Sequence, residues 1–144
     1  MSEQNFKNHS RLVPMFHFVA FTAALFAWVV ALVNFFKAIA NESGRLNAAA
    51  MVALTAALIL GLWYSRVFAL RAQDRAIRAE ENFRHFLASG KPLDSRLRMG
   101  QLIALRFASD DEFLSLAKQA VDENLDAKQI KMAIKNWKAD NNRA

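Results

Sequence analysis

The side chains able to do chemistry in this chain are few and scattered. Three histidines, His9, His17 and His85, lie too far apart in sequence for the short spacings of a metal cage. His17 falls in an apolar segment, where a pair contributed by two chains would make axial haem ligands. A lone histidine near the start of such a segment more commonly bonds to water, a headgroup or a neighbouring helix. Ser65, Ser89, Ser95, Ser109 and Ser115 have no base at motif spacing. Carboxylates cluster as Glu80-Glu81 and Asp110-Asp111-Glu112. Neighbouring carboxylates on a helix point in different directions, and acids in a first turn answer the helix dipole, so both groups read as solvated faces.

An enzyme would need groups such as Asp74, Arg75, His85 and Arg106 to converge from separate segments. Four unclustered glycines make no phosphate loop. With no cysteine, disulfides, zinc–thiolate sites, iron–sulfur clusters and thiol nucleophiles are excluded. These residues imply no cofactor, no metal, no catalytic set and no identifiable small-molecule substrate.

The elements that carry these residues are clearer than the chemistry. The chain has 144 residues, 54% of them hydrophobic, but the apolar content is concentrated in Leu12–Phe36 and Leu46–Ser65. Leu12–Phe36 is 25 residues without a charge, about 37 Å as a helix against a hydrocarbon core of about 30 Å. Pro14 sits in its first turn, where the missing N–H costs nothing. The second segment is closed by Trp63, Tyr64 and Arg66, the aromatic-then-basic sequence of an interfacial anchor. Both segments are expected to span a membrane, at about 12–36 and 46–66. A signal peptide cut near Ala38-Ile39-Ala40 is the alternative for the first, but its apolar core is far longer than the roughly 7–15 residues of such signals.

Lysine and arginine set the orientation. Lys37 and Arg45 flank the connecting loop; Lys7 and Arg11 precede the first span, and Arg66, Arg71, Arg75, Arg78 and Arg84 follow the second. Seven against two puts both termini in the cytoplasm. Ala49, Ala53, Ala57, Gly61 and Ser65 recur at four-residue intervals in the second span, and Ala23, Ala27 and Ala31 in the first. Small residues at that spacing let helices approach closely in lipid. They serve either packing of the two spans, favoured by the short loop, or association with a partner or second copy.

The helix is expected to continue without interruption from Leu46 to Ala88, since Ser89-Gly90-Lys91-Pro92 is the first stop. Phe83, Phe86 and Leu87 then need something apolar to cover them. Three short helices should follow. Asp94 is placed to cap one through about Ala108, Ser109 and Glu112 to form a capping box for the second, and Asp126 and Gln129 for the third. Asn124 is a left-handed stop between the last two.

The last helix reads as amphipathic, with Ile130, Ala133, Ile134 and Trp137 on one arc and Lys128, Lys131, Lys135 and Lys138 on the other. Those lysines, with Arg71 and Arg75, could contact anionic lipid. Nucleic acid fits poorly, because the stretch from Ser89 onward has ten basic against eight acidic residues and no base-reading module. The expected fold is all-α: a tail and transmembrane hairpin over 1–66, a cytoplasmic helical extension over 67–89, and a three-helix head over 90–144.

Four stretches together resemble a known family. They are Asn5-Phe6-Lys7-Asn8-His9, the run Phe68 to Arg75 (FALRAQDR), the run Gln101 to Ala108 (QLIALRFA), and Lys131 to Trp137 (KMAIKNW). The chain is similar over nearly its whole length to the bacterial domain-of-unknown-function family 6526, small two-span membrane proteins. Phe6 stands where that family leads one to expect tyrosine. The resemblance implies a bacterial inner-membrane location and carries no functional residue. Taken with the residues, it implies a membrane-anchored interaction or accessory protein, with an anionic-lipid-binding surface protein and an unrecognised enzyme as alternatives.

Overall fold

The computed structural model describes residues 5–6 and 13–140. Lys7, His9, Arg11 and Leu12, invoked above, lie outside the described residues. The described chain is helical, with one isolated antiparallel bridge between Ala108 and Trp137. Two of its helices are long and apolar enough to cross a membrane.

The first begins with a π-helical stretch, Met15–Ala20, and continues as α1, Phe21–Ala40. The apolar periodicity gave no sign of the wider turn. Pro14 occupies its N-cap in helical conformation, and His17 Nδ1 takes the Val13 N–H at 3.0 Å, satisfying one of the open donors of the helix start. The helix ends later than expected, at Ala40, because Lys37 is accommodated within its last turn. A 6→1 bond from the Ser43 N–H to the Ala38 carbonyl closes it, with Glu42 at φ 56° and Gly44 at φ 68° reversing the chain.

α2 then runs unbroken from Arg45 to Ser89. Within 13–69, buried and half-buried positions in α2 are Ala48, Val52, Thr55, Ala56, Ile59, Leu62, Arg66 and Val67; in α1 they are Phe21, Ala24, Ala27, Trp28, Ala31, Leu32, Phe35 and Ala38. Among these, Ala48, Val52, Thr55, Ile59, Leu62 and Arg66 in α2 and Ala24, Trp28, Ala31, Phe35 and Ala38 in α1 step alternately by four and three, which keeps them on one side of each helix. A strict step of four drifts by about 40° each time. Accordingly Ala31 is buried and Ala27 half-buried, while Ala23, Ala49, Ala53, Ala57, Gly61 and Ser65 are exposed. The buried positions of α2 do not coincide with its four-residue stripe. Thr55 is buried with its hydroxyl on the Met51 carbonyl at 2.8 Å, and the exposed Ser65 does the same to Leu62 at 2.8 Å. No polar group of either side chain is left open.

The second compact unit is formed by 70–140 together with Asn5 and Phe6. The last five turns of α2 therefore share a unit with the three short helices, α3 (Met99–Leu105), α4 (Asp110–Asp122) and α5 (Ala127–Ala133). α3, α4 and α5 meet pairwise around Leu102, Leu105, Phe107, Phe113, Leu116, Ala120 and Ile130.

Three local expectations are corrected. Asp94 caps no helix: its carboxylate takes the Arg96 N–H at 2.9 Å and pairs with that guanidinium, so α3 starts only at Met99, where Gln101 Oε1 accepts the Arg98 N–H at 2.7 Å. Ser109 makes no capping bond, and Glu112 reaches the N–H groups of Lys135 and Asn136 instead. The last helix stops at Ala133. Ile134 is extended and the chain bends at Lys135 and Asn136, so that Trp137 bridges Ala108 and tilts against Phe107 at 5.3 Å between ring centres. Asp126 and Gln129 form the expected reciprocal box, and Asn124 takes a left-handed φ of 49°.

Candidate functional site

The most developed site in the 70–140 unit is a cleft of about 590 Å³ beside the last turns of α2. Its apolar wall is Phe83, Leu87 and Phe113; its polar wall carries Glu80, Glu81, Arg84, Arg106, Asp110, Lys138 and Asp140. Helical spacing explains the first wall. Phe83 and Leu87 are four residues apart and share a face, and Phe86 lies beside them.

Arg84 organises the polar wall. Its Nε donates to Asp110 Oδ1 at 2.7 Å, Nη1 to Glu81 Oε2 at 3.2 Å and Nη2 to the Ala108 carbonyl at 2.7 Å. Its guanidinium carbon also stands 4.2 Å from the Phe113 ring centre. By i,i+4 spacing the sequence pairs Arg84 with Glu80; the structure pairs it with Glu81 and with the distant Asp110 instead, which nothing local in the sequence reveals. Arg106, buried over the Phe107 ring, pairs through Nη1 with Asp140 at 2.9 Å. Lys138 lies 3.7 Å from Asp110. Among the described residues, Glu80 has no ion-pair partner and is exposed at the rim.

Two carboxylates here are shifted in opposite directions. Burial pushes Glu81 above the usual carboxylate range, with Arg84 opposing it. Hydrogen bonding and charge from Arg84 hold Asp110 below that range. Outside the cleft, the Arg96 guanidinium brings Asp94 down to about 2.

Of the groups named above, Arg75, His85 and Arg106 line three different depressions. Arg106 lines this cleft, Arg75 lines a separate depression beside Asn82 and Leu93, and His85 a third with Lys91 and Leu97. His85 Nδ1 is engaged with the Lys91 carbonyl, 2.8 Å away. Among the described residues no group of three histidine or acidic side chains is placed to hold a metal ion.

The residues proposed for lipid contact are dispersed. Trp63 and Tyr64 are exposed and Arg66 half-buried; Arg71, Arg75, Lys128, Lys135 and Lys138 are exposed. Lys131 instead turns over the Phe107 ring at 5.6 Å. Since α5 ends at Ala133, the four lysines do not form one helical arc.

No curated protein and no solved structure matches the chain. One family profile does, described as a family of unknown function, DUF6526, and it matches residues 1–144. With its whole length matched, the chain belongs to the DUF6526 family.

Proposed function

We propose that this is an integral membrane protein whose two spans form a hairpin and anchor a non-enzymatic interaction head on the cytoplasmic side of a bacterial inner membrane. The observation that carries the reading is the exposure of the two long helices. In the apolar window of each helix, Met15–Ala40 and Arg45–Ser89, only 11% of the positions are buried, and the helices turn Phe18, Phe26, Phe36, Leu54, Leu58 and Leu60 outward. A core helix of a soluble protein buries such side chains, and water does not tolerate so continuous an apolar surface. Lipid does. The 4-3 burial pattern in both segments supports packing of one span on the other. Asn5 and Phe6 belong to the unit formed by 70–140, which supports a single side for both ends. The Lys and Arg count favours the cytoplasm for that side.

Alkaline carbonate extraction of native membranes tests the anchor, and an integral protein stays in the pellet. A mild-detergent pull-down of the tagged chain then tests the head. A stoichiometric companion makes the protein an accessory subunit of that complex, whereas recovery with lipid alone moves the second reading forward. In that reading the head grips anionic lipid, favoured by the exposed Arg71, Arg75 and Arg78 that follow Arg66. It requires co-purifying anionic lipid whose retention falls with salt.

A further inference from the structure

Two exposed patches of the 70–140 unit have complementary character. The first is the cleft wall at the end of α2. Phe83 is 62% and Leu87 70% exposed there, and Phe86, 51% exposed, lies beside them on the helix. Four carboxylates and three cations stand beside this wall, and all but one of the carboxylates are partnered. Arg84 is committed to Glu81, Asp110 and the Ala108 carbonyl, Arg106 to Asp140, and Lys138 faces Asp110, leaving Glu80 unmatched at the rim. The second patch is on α5. Met132 is 58% exposed, shares a helix face with the exposed Lys128 four residues earlier, and is followed by the exposed Lys135. One patch is an apolar recess with a free carboxylate. The other is a flexible apolar side chain between cations, suited to filling irregular recesses.

We propose that the Phe83–Leu87 cleft of one head receives Met132 of a second copy of this chain, with Lys128 and Lys135 of that copy meeting Glu80. The exchange is reciprocal, so one twofold axis closes the assembly. A second copy is favoured over lipid because the recess carries an unmatched carboxylate, which anionic headgroups repel. It is favoured over face-to-face pairing of α2 ends because that arrangement sets Glu80 against Glu80, a like-charge contact. The inference deepens the interaction-head reading and rests on it.

The absence of cysteine makes the test clean. Differently tagged full-length chains carrying L87C and M132C are co-expressed, and native membranes are treated with a short bismaleimide. The expected product is the mixed 87–132 pair. E80K alone, or K128E with K135E, should lower its yield several-fold, and combining all three in both chains should restore it. No mixed pair, an 87–87 pair only, or crosslinking of L87C to a different protein overturns the proposal. Protease resistance of each variant reports whether its head is folded. Carbonate extraction reports anchoring separately, so a failed anchor and a failed dimer give different results.

Discussion

The Nη2 of Arg84 donates to the Ala108 carbonyl at 2.7 Å, fastening the last turns of α2 to the α3–α4 connection. The same guanidinium satisfies Glu81 and Asp110, so one side chain from the long helix closes both the backbone and the charge of the head. The side chains of Arg84 and Glu81 are 15% and 10% exposed, so this pair is largely withdrawn from water.

Arg84→Met is therefore expected to destabilise the 70–140 unit by about 3 kcal/mol, since it strands a buried carboxylate and an open carbonyl. Arg84→Lys should recover less than half of that, because an ammonium cannot reproduce the three-way fork. Thermal unfolding of the purified chain in detergent measures both. Equal stability of Arg84→Met and the native chain would contradict the role assigned here.

Stability should rise and then fall as pH is lowered from neutrality. Glu81 has a raised folded-state pKa, so the folded state takes up a proton before the unfolded one; stability grows as pH falls through that pKa toward 4.5. Asp110 and Asp94 have depressed folded-state values, so their contribution is present above the usual 3.8 and is lost as pH falls below it. A pH series of melting temperatures should show the rise above 4.5, and Glu81→Gln should abolish it. A rise that persists in Glu81→Gln assigns the effect to another group.

Glu112 is expected to matter through the tail rather than through α4. Its carboxylate accepts the Lys135 and Asn136 N–H groups at 3.1 and 3.0 Å. Glu112→Ala should cost about 1–2 kcal/mol, within the range of lost charge-assisted bonds, and speed amide exchange at residues 135 and 136 before the core. Uniform exchange across the head would instead mark a general loss of stability.

In the apolar part of α2, Ala48 is 2% exposed whereas Ala53 and Ala57 are exposed. Ala48→Leu should overpack its buried position and cost roughly 1–3 kcal/mol, while Ala53→Leu should leave monomer stability within about 0.5 kcal/mol. Detergent-titration unfolding distinguishes them. If Ala53→Leu alone disrupts an assembly, the outward stripe is a contact with another chain.

Much of this architecture is legible in the sequence where the signal is local. The apolar runs, the stop at Ser89-Gly90, the Asp126–Gln129 box and the turn at Asn124 all depend on residues within a few positions of one another. The misread elements depend on distant partners. Ile130, Ala133, Ile134 and Trp137 have helical spacing, yet the Trp137 bridge to Ala108 and the Glu112 carboxylate draw the chain out of the helix after Ala133. Asp94 is the exception: it has the position of a helix cap, yet a local competitor, Arg96 two residues away, takes its carboxylate. The cleft itself was hidden, because Arg84, Asp110 and Asp140 are brought together only by the fold. The one sequence hint was Phe83, Phe86 and Leu87, an apolar face with no evident cover.

The central claim, two spans with both ends on one side, is tested most directly by cysteine labelling in the naturally cysteine-free chain. Single variants Phe6→Cys, Ser43→Cys and Ser95→Cys are treated in intact cells with a membrane-impermeant maleimide. The expected result is labelling of Ser43→Cys in intact cells, and of Phe6→Cys and Ser95→Cys only after permeabilisation. Labelling of positions 6 and 95 from opposite sides of the membrane contradicts the hairpin.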